Sequence, residues 1–242
     1  MNERHLTIVT GASRGLGRGI ALALVKAGHE VLGLSRQAPD APFEQWQVDL
    51  ADAAPVAERL AAWLAAQPAD RWASTSLVNN AALLVPPGPL DGADPRAVAA
   101  AVRIGVEAPL LLTAAFLRAT RGHTGVRRVL HVSSGLGRRA MAGSAVYCAT
   151  KAALDHLARA QALEEAARPN GAKVVSLAPG VIDTDMQVQL RSADPTGFPE
   201  HAMFVGLHDS GSLASVDDAG GKVARFLLRE DFGREPVADV RA

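Results

Sequence analysis

Short β-branched runs alternate along this chain with helical segments at least twice as long, and that alternation leaves few folds open. Residues 6–10 (LTIVT), 30–35 (EVLGLS), a stretch within 43–50 (FEQWQVDL), 74–80, 127–134 and 172–180 read as strands, with 235–240 as a seventh. Residues 16–28, 52–67, 94–120, 144–168 and 216–229 carry helical periodicity. Gly28 stops the first helix, Asp52 stands near the start of the second, and Pro95 opens the third, which holds Pro109 inside it. Apolar strands separated by helices imply a parallel sheet covered on both faces. The expected architecture is therefore α/β. A single doubly wound domain spans 1–242, with a mostly parallel sheet of about seven strands and helices on both faces. No linker, repeat or low-complexity tract interrupts it. Residues 183–212 have no clear period and read as a long loop, a common form for a substrate-binding lid.

Composition narrows the class. With 242 residues, 48% of them hydrophobic, the chain can bury a large core and remain one domain. The 25 basic and 25 acidic residues cancel, which points to neither nucleic acid nor an anionic membrane as partner. The polar start MNERHLTIVTG runs directly into a strand, and no apolar run approaches the roughly 18–20 residues of a membrane span, so cytoplasm is the expected compartment. Cys148 stands alone, so no internal disulfide is possible and a reducing compartment fits. The seven histidines show no ligand spacing, and no metal is expected.

In doubly wound sheets ligands bind beyond the carboxyl ends of the strands. After the first strand comes TGASRGLG, residues 10–17, with Gly11, Ser13, Arg14, Gly15, Leu16 and Gly17. Its glycines allow a sharp turn and close approach, and the helix behind it offers free N–H groups to a pyrophosphate. The second strand ends in Ser35–Arg36–Gln37, where an acidic residue would bind the ribose diol of NAD. Guanidinium suits a 2′-phosphate, so Arg36, with Arg14 beside it, favours NADP(H) over NAD(H). Asp49 and Leu50 end the third strand; Asp49 either accepts from the adenine amino group or caps the next helix. Asn79, Asn80 and Ala81 end the fourth, where the asparagines either bond the cofactor ribose or form a turn. Pro179 and Gly180 break the sixth and open space for a flat ring, followed by Ile182 and Thr184.

Tyr147 and Lys151 are four apart in a helical stretch and so share a face. A free tyrosine titrates near pH 10, and a neighbouring ammonium is expected to lower that value toward the working range. Ser134 ends the fifth strand thirteen residues before Tyr147. Ser133 should face the other side of the strand, which leaves Ser134 to bond a developing oxyanion.

In this order and spacing, Thr10–Gly17, Asn79–Ala82, Ser134, Tyr147, Lys151 and Pro179–Gly180 with Thr184 resemble the short-chain dehydrogenase/reductase family over nearly the whole chain. PGVIDTDMQ (179–187), Arg191 and GSL (211–213) look like its branch of sepiapterin and benzil reductases. The resemblance implies a Rossmann-type fold and an NADPH-dependent carbonyl reductase acting on a small ketone or diketone, aromatic or pterin-like. It makes Ser134, Tyr147 and Lys151 catalytic, with Tyr147 as the acid and Lys151 also on the nicotinamide ribose. It sets Thr184 and the backbone near Ile182 at the nicotinamide. It also implies a homodimer or homotetramer through helices around 94–118 and 144–168. Met186, Met203, Phe204 and, by the sepiapterin reductase pattern, Asp239 are the substrate-side candidates.

One position departs from the pattern. Gly105 stands where the family places an asparagine in the long helix. Pro109, four residues on, has no N–H to give, so the Gly105 carbonyl is expected to be free for a water that would serve the same relay. The alternative is a plain kink, and with it an NADP(H)-binding sensor or scaffold with little turnover.

Overall fold

Leu6 and Ile8 face one side of the first strand and Val9 the other, and each side meets its own layer of helices. The computed structural model describes residues 3–241. Its seven strands are β1 (His5–Thr10), β2 (Glu30–Ser35), β3 (Glu44–Gln47), β4 (Ser74–Asn79), β5 (Val126–Val132), β6 (Lys173–Ala178) and β7 (Val237–Asp239). They form one sheet in the order β3-β2-β1-β4-β5-β6-β7, every neighbouring pair parallel. The chain reverses direction across the sheet between β1 and β4, so the crevice where ligands bind opens above their carboxyl ends.

On one face, Leu6, Ile8, Leu77 and Val129 pack against α2 (Ala53–Ala65), α4 (Ala108–Ala119) and α5 (Ala145–Ala166) through Leu60, Leu64, Phe116 and Ala158. On the other, Val9, Val78, Leu130 and Leu177 meet Ile20 and Leu24 of α1 (Gly15–Lys26) and Val223 and Leu227 of α8 (Val216–Leu227). Both faces are covered by helices, which is why the strands read as continuous apolar runs rather than as alternating ones.

Two stretches differ from the sequence reading. The long helix expected over 94–120 is divided into α3 (Pro95–Val102), a π-helical turn over Arg103–Glu107, and α4. The Ala108 N–H donates to the Arg103 carbonyl, five residues back, because Pro109 interrupts the ordinary ladder just beyond. By length and composition alone 95–119 passes as a membrane span, against the sequence expectation; here Leu112, Ala115 and Phe116 are core residues under the sheet. The stretch expected as a loop over 183–212 folds into α6 (Asp185–Arg191) and α7 (His201–Asp209). Neither helix is long enough to leave a periodic signal, and their stability comes from a small apolar cluster of Met141, Leu190, Phe198 and Phe204.

Candidate active site

A cleft of about 1250 Å³ runs over the carboxyl edge of the sheet. At one end lies the glycine loop. Thr10 Oγ1 accepts the N–H groups of Asn80 (2.9 Å) and Ala81 (3.0 Å), and Asn80 Nδ2 donates back to the Thr10 carbonyl at 2.9 Å. These bonds lock the ends of β1 and β4 together. Gly11 turns the chain at φ +68°, and a Cβ on Gly17 would stand 2.2 Å from the Gly11 carbonyl. A side chain at either place would press on Asn80, and at Gly17 it would also collide with the loop's own backbone. No side chain caps the start of α1, so its first N–H groups remain free for an anion. This cradle fits the pyrophosphate of a dinucleotide.

Ser13, Arg14, Leu16, Arg36, Asp49, Leu50, Asn80, Ala81, Pro179, Gly180, Ile182 and Thr184 all line the cleft, with the three loop glycines. Asn79 does not. It is buried, donates to Thr113 Oγ1 at 3.0 Å and meets His131 Nδ1 at 3.2 Å, so its expected bond to the cofactor ribose is corrected to a core role. β4 continues through Asn79, and strand alternation turns that side chain under the sheet. Asp49 lines the cleft while its carboxylate caps the turn that follows, accepting from Ala51 N at 3.0 Å. Arg14 pairs with Asp185 at the start of α6, across the cleft. Arg36 makes no ion pair among the described residues and is exposed.

Ser134, Tyr147 and Lys151 meet on the wall beyond. Ser134 lies two residues beyond β5 and caps the turn Gly135–Gly137, its Oγ accepting from Leu136 N at 3.2 Å. Ser133 is buried and its hydroxyl donates to the Lys151 carbonyl at 3.4 Å, away from the phenol. Lys151 is 3% exposed; its ammonium donates to the Val132 carbonyl at 2.8 Å and lies 5.5 Å from the centre of the Tyr147 ring. Burial pulls Lys151 down to about 8, opposed by the Asp155 carboxylate. The Tyr147 phenol moves the other way from expectation. Burial raises its pKa, a hydrogen bond with Ser134 opposes the rise, and the ammonium, turned to Val132, does not reverse it.

The far wall is apolar. Met186 and Leu190 of α6 and Met203, Phe204 and Leu207 of α7 face Leu84, Leu136 and Met141. Phe204 stacks on Phe198 at 5.5 Å. Asp239 is corrected as a substrate ligand. It stays outside the lining, and Arg241 takes both its oxygens with Nε at 2.8 Å and Nη2 at 2.7 Å. Arg241 lines the cleft in its place, as does Arg139. Both follow strand-end turns, and that placement was the only sequence signal for either. Among the described residues no cluster of His, Cys, Asp and Glu has the form of a metal site.

Comparison with known proteins points to one family. The short chain dehydrogenase family matches residues 5–195. A benzil reductase ((S)-benzoin forming) of Bacillus subtilis (strain 168) is 32% identical over 226 residues, 92% of this chain and 93% of that protein. A sepiapterin reductase of Xenopus tropicalis is 34% identical, covering 94% and 92%. Among solved structures, the KRED1-Pglu enzyme superposes with a TM-score of 0.82 at 26% identity, over 97% of this chain and 99% of that one.

Proposed function

The chain belongs to the short-chain dehydrogenase family, and we propose that within it the protein is an NADPH-dependent carbonyl reductase acting on small ketones or diketones. The observation that carries the reading is the meeting of Ser134, Tyr147 and Lys151 at one point of a cleft whose other end is a dinucleotide cradle. When bound, the nicotinamide supplies a hydride to the substrate carbon. The chain handles the oxygen. The Ser134 hydroxyl donates a hydrogen bond to it, and the Tyr147 phenol gives it a proton as negative charge develops. Burial keeps Tyr147 in its acid form at neutral pH, which is the form that reduction consumes. The Lys151 ammonium carries three donors, of which Val132 takes one. The others serve the cofactor ribose and the phenolate left after proton transfer.

Selectivity for NADPH is assigned to Arg36, whose guanidinium is free to pair bidentately with a 2′-phosphate. Arg14 joins it by leaving Asp185. Arg241 and Arg139 supply N–H donors at the substrate end where a carboxylate was expected, and donors match the second carbonyl of a diketone. Thioether and aromatic side chains along the opposite wall match its aryl groups. An aromatic diketone therefore suits the cleft better than a pterin. The working form is a homodimer or homotetramer in which Val102, Leu110 and Leu163, exposed on α3, α4 and α5, are covered by a second copy.

Initial rates of NADPH and NADH oxidation with benzil, phenyl diketones, sepiapterin and simple aldehydes test the reading. NADPH turnover that Tyr147→Phe abolishes is the expected result. Tight NADPH binding with no turnover on any carbonyl would favour the sensor alternative, which Gly105 in the relay position supports.

A further inference from the structure

Beneath Lys151 lies a charged group that the mechanism above does not use. Asp155 is 1% exposed. It follows Lys151 by four residues on α5 and so shares its face. Its Oδ1 accepts from Ser176 Oγ of β6 at 2.7 Å, while Oδ2 has no hydrogen-bond partner. The nearest cation, Arg138 Nε, stands 3.6 Å from Oδ2, too far for a hydrogen bond. The turn behind Ser134 rests directly on the carboxylate, because a Cβ on Gly137 would stand 2.7 Å from Oδ2. A carboxylate this buried is costly unless its charge is used.

We propose that Asp155 is a positioning residue for Lys151: a fixed buried negative charge that holds the ammonium charged and ties α5 to β6 and to the turn behind Ser134. It rests on the reductase reading only for the purpose the charged lysine serves. The other groups facing the pair leave this role open. His131 of β5 is buried and held neutral at neutral pH, its pKa near 4. Arg138 is half committed to the Ala238 carbonyl of β7, at 3.4 Å. Asp239 of β7 is neutralised by Arg241. Arg127 at the outer end of β5 is paired with Glu165, Arg128 beside it lies at the same end, and Lys173 at the outer end of β6 donates to the Glu230 carbonyl. Arg96 of α3, and Arg103 and Glu107 of the π turn, are exposed. Asp155 is also the group that raises the Lys151 pKa against burial.

The chain has four lysines, Lys26, Lys151, Lys173 and Lys222, so side-chain NMR of the lysine-labelled protein resolves Lys151 without any substrate. Asp155→Asn keeps the shape and removes the charge. The expected result is a fall of about one unit or more in the Lys151 midpoint, with the alkaline limb of kcat/KM for benzil moving in step. Asp155→Ser removes the charge with a smaller neutral side chain and decides the matter if the asparagine variant does not fold; it should lower the midpoint in the same way. A Lys151 midpoint that stays put in the folded Asp155→Asn variant, or in Asp155→Ser when that one decides, overturns the proposal. Absence of carbonyl turnover in the wild type would overturn the reductase reading and leave the titration result standing.

Discussion

Lys151 holds its ammonium 5.5 Å from the centre of the Tyr147 ring and gives one hydrogen bond to the Val132 carbonyl instead of to the phenol. Two consequences follow for the reaction. The phenol, its pKa raised by burial, starts the proposed reduction in its acid form, and burial lowers the lysine pKa to about 8.

Removing either group should therefore act on different parameters. Tyr147→Phe should lower kcat with benzil by about 10²–10⁴ while leaving the NADPH Kd near wild type, as expected for loss of a general acid. Lys151→Met should lower kcat and also weaken NADPH binding. Steady-state kinetics with fluorescence titration of NADPH separates the two. Because Lys151 titrates near 8, wild-type kcat/KM should fall as pH rises above about 8.

Cofactor choice should reside at the end of β2. Arg36→Glu places a carboxylate where a 2′-phosphate would sit. The NADPH-to-NADH ratio of kcat/KM should fall at least tenfold, about 1.4 kcal/mol. Asp185→Asn releases Arg14 from its ion pair and should move the ratio the other way, toward NADPH. Equal ratios in all three proteins would contradict the assignment.

Substrate choice should respond to Arg241. Arg241→Ala removes the donors at the cleft and frees Asp239. The expected outcome is a loss of diketone kcat/KM, with sepiapterin gaining relative to benzil. Competition between the two substrates in one assay reads this directly.

Gly105 and Thr150 should be energetically coupled. A Cβ on Gly105 would stand 3.2 Å from the Thr150 Cβ and Cγ2, so Gly105→Asn is crowded and should lose about 1–3 kcal/mol. Adding Thr150→Ala should recover much of that loss, and urea unfolding of the double-mutant cycle measures it. Pro109→Ala restores an N–H four residues after Gly105. If the Gly105 carbonyl serves the proton relay, this variant slows turnover without changing the NADPH Kd.

Acid should unfold the protein through its buried histidines. Burial lowers the pKa of both His131 and His29 to about 4. Between that value and the unfolded value near 6.5, the unfolded chain binds more protons. Stability is therefore full above about pH 6.5 and falls as pH drops toward 4, by up to about 3 kcal/mol for each histidine. Urea midpoints at pH 7, 6 and 5 should fall accordingly, and His131→Gln should flatten the slope while lowering stability at pH 7.

What could be read from the residues was whatever depends on near neighbours in the chain. Apolar strand runs, the glycine loop behind β1 and the four-residue spacing of Tyr147 and Lys151 are local patterns, each set by backbone geometry. They were enough for the strand count, the parallel sheet and the cleft at its carboxyl edge. The short helices α6 and α7 left no periodic trace, since apolar contacts among Met141, Leu190, Phe198 and Phe204 hold them in place. The inward turn of Asn79, the Arg14–Asp185 pair across the cleft and the hold of Arg241 on Asp239 depend on which strand ends and loops come together. The direction of the Tyr147 shift belongs with them. Sequence spacing brought an ammonium near the phenol, but burial decided which way each group titrates, and burial is a property of the packed fold alone.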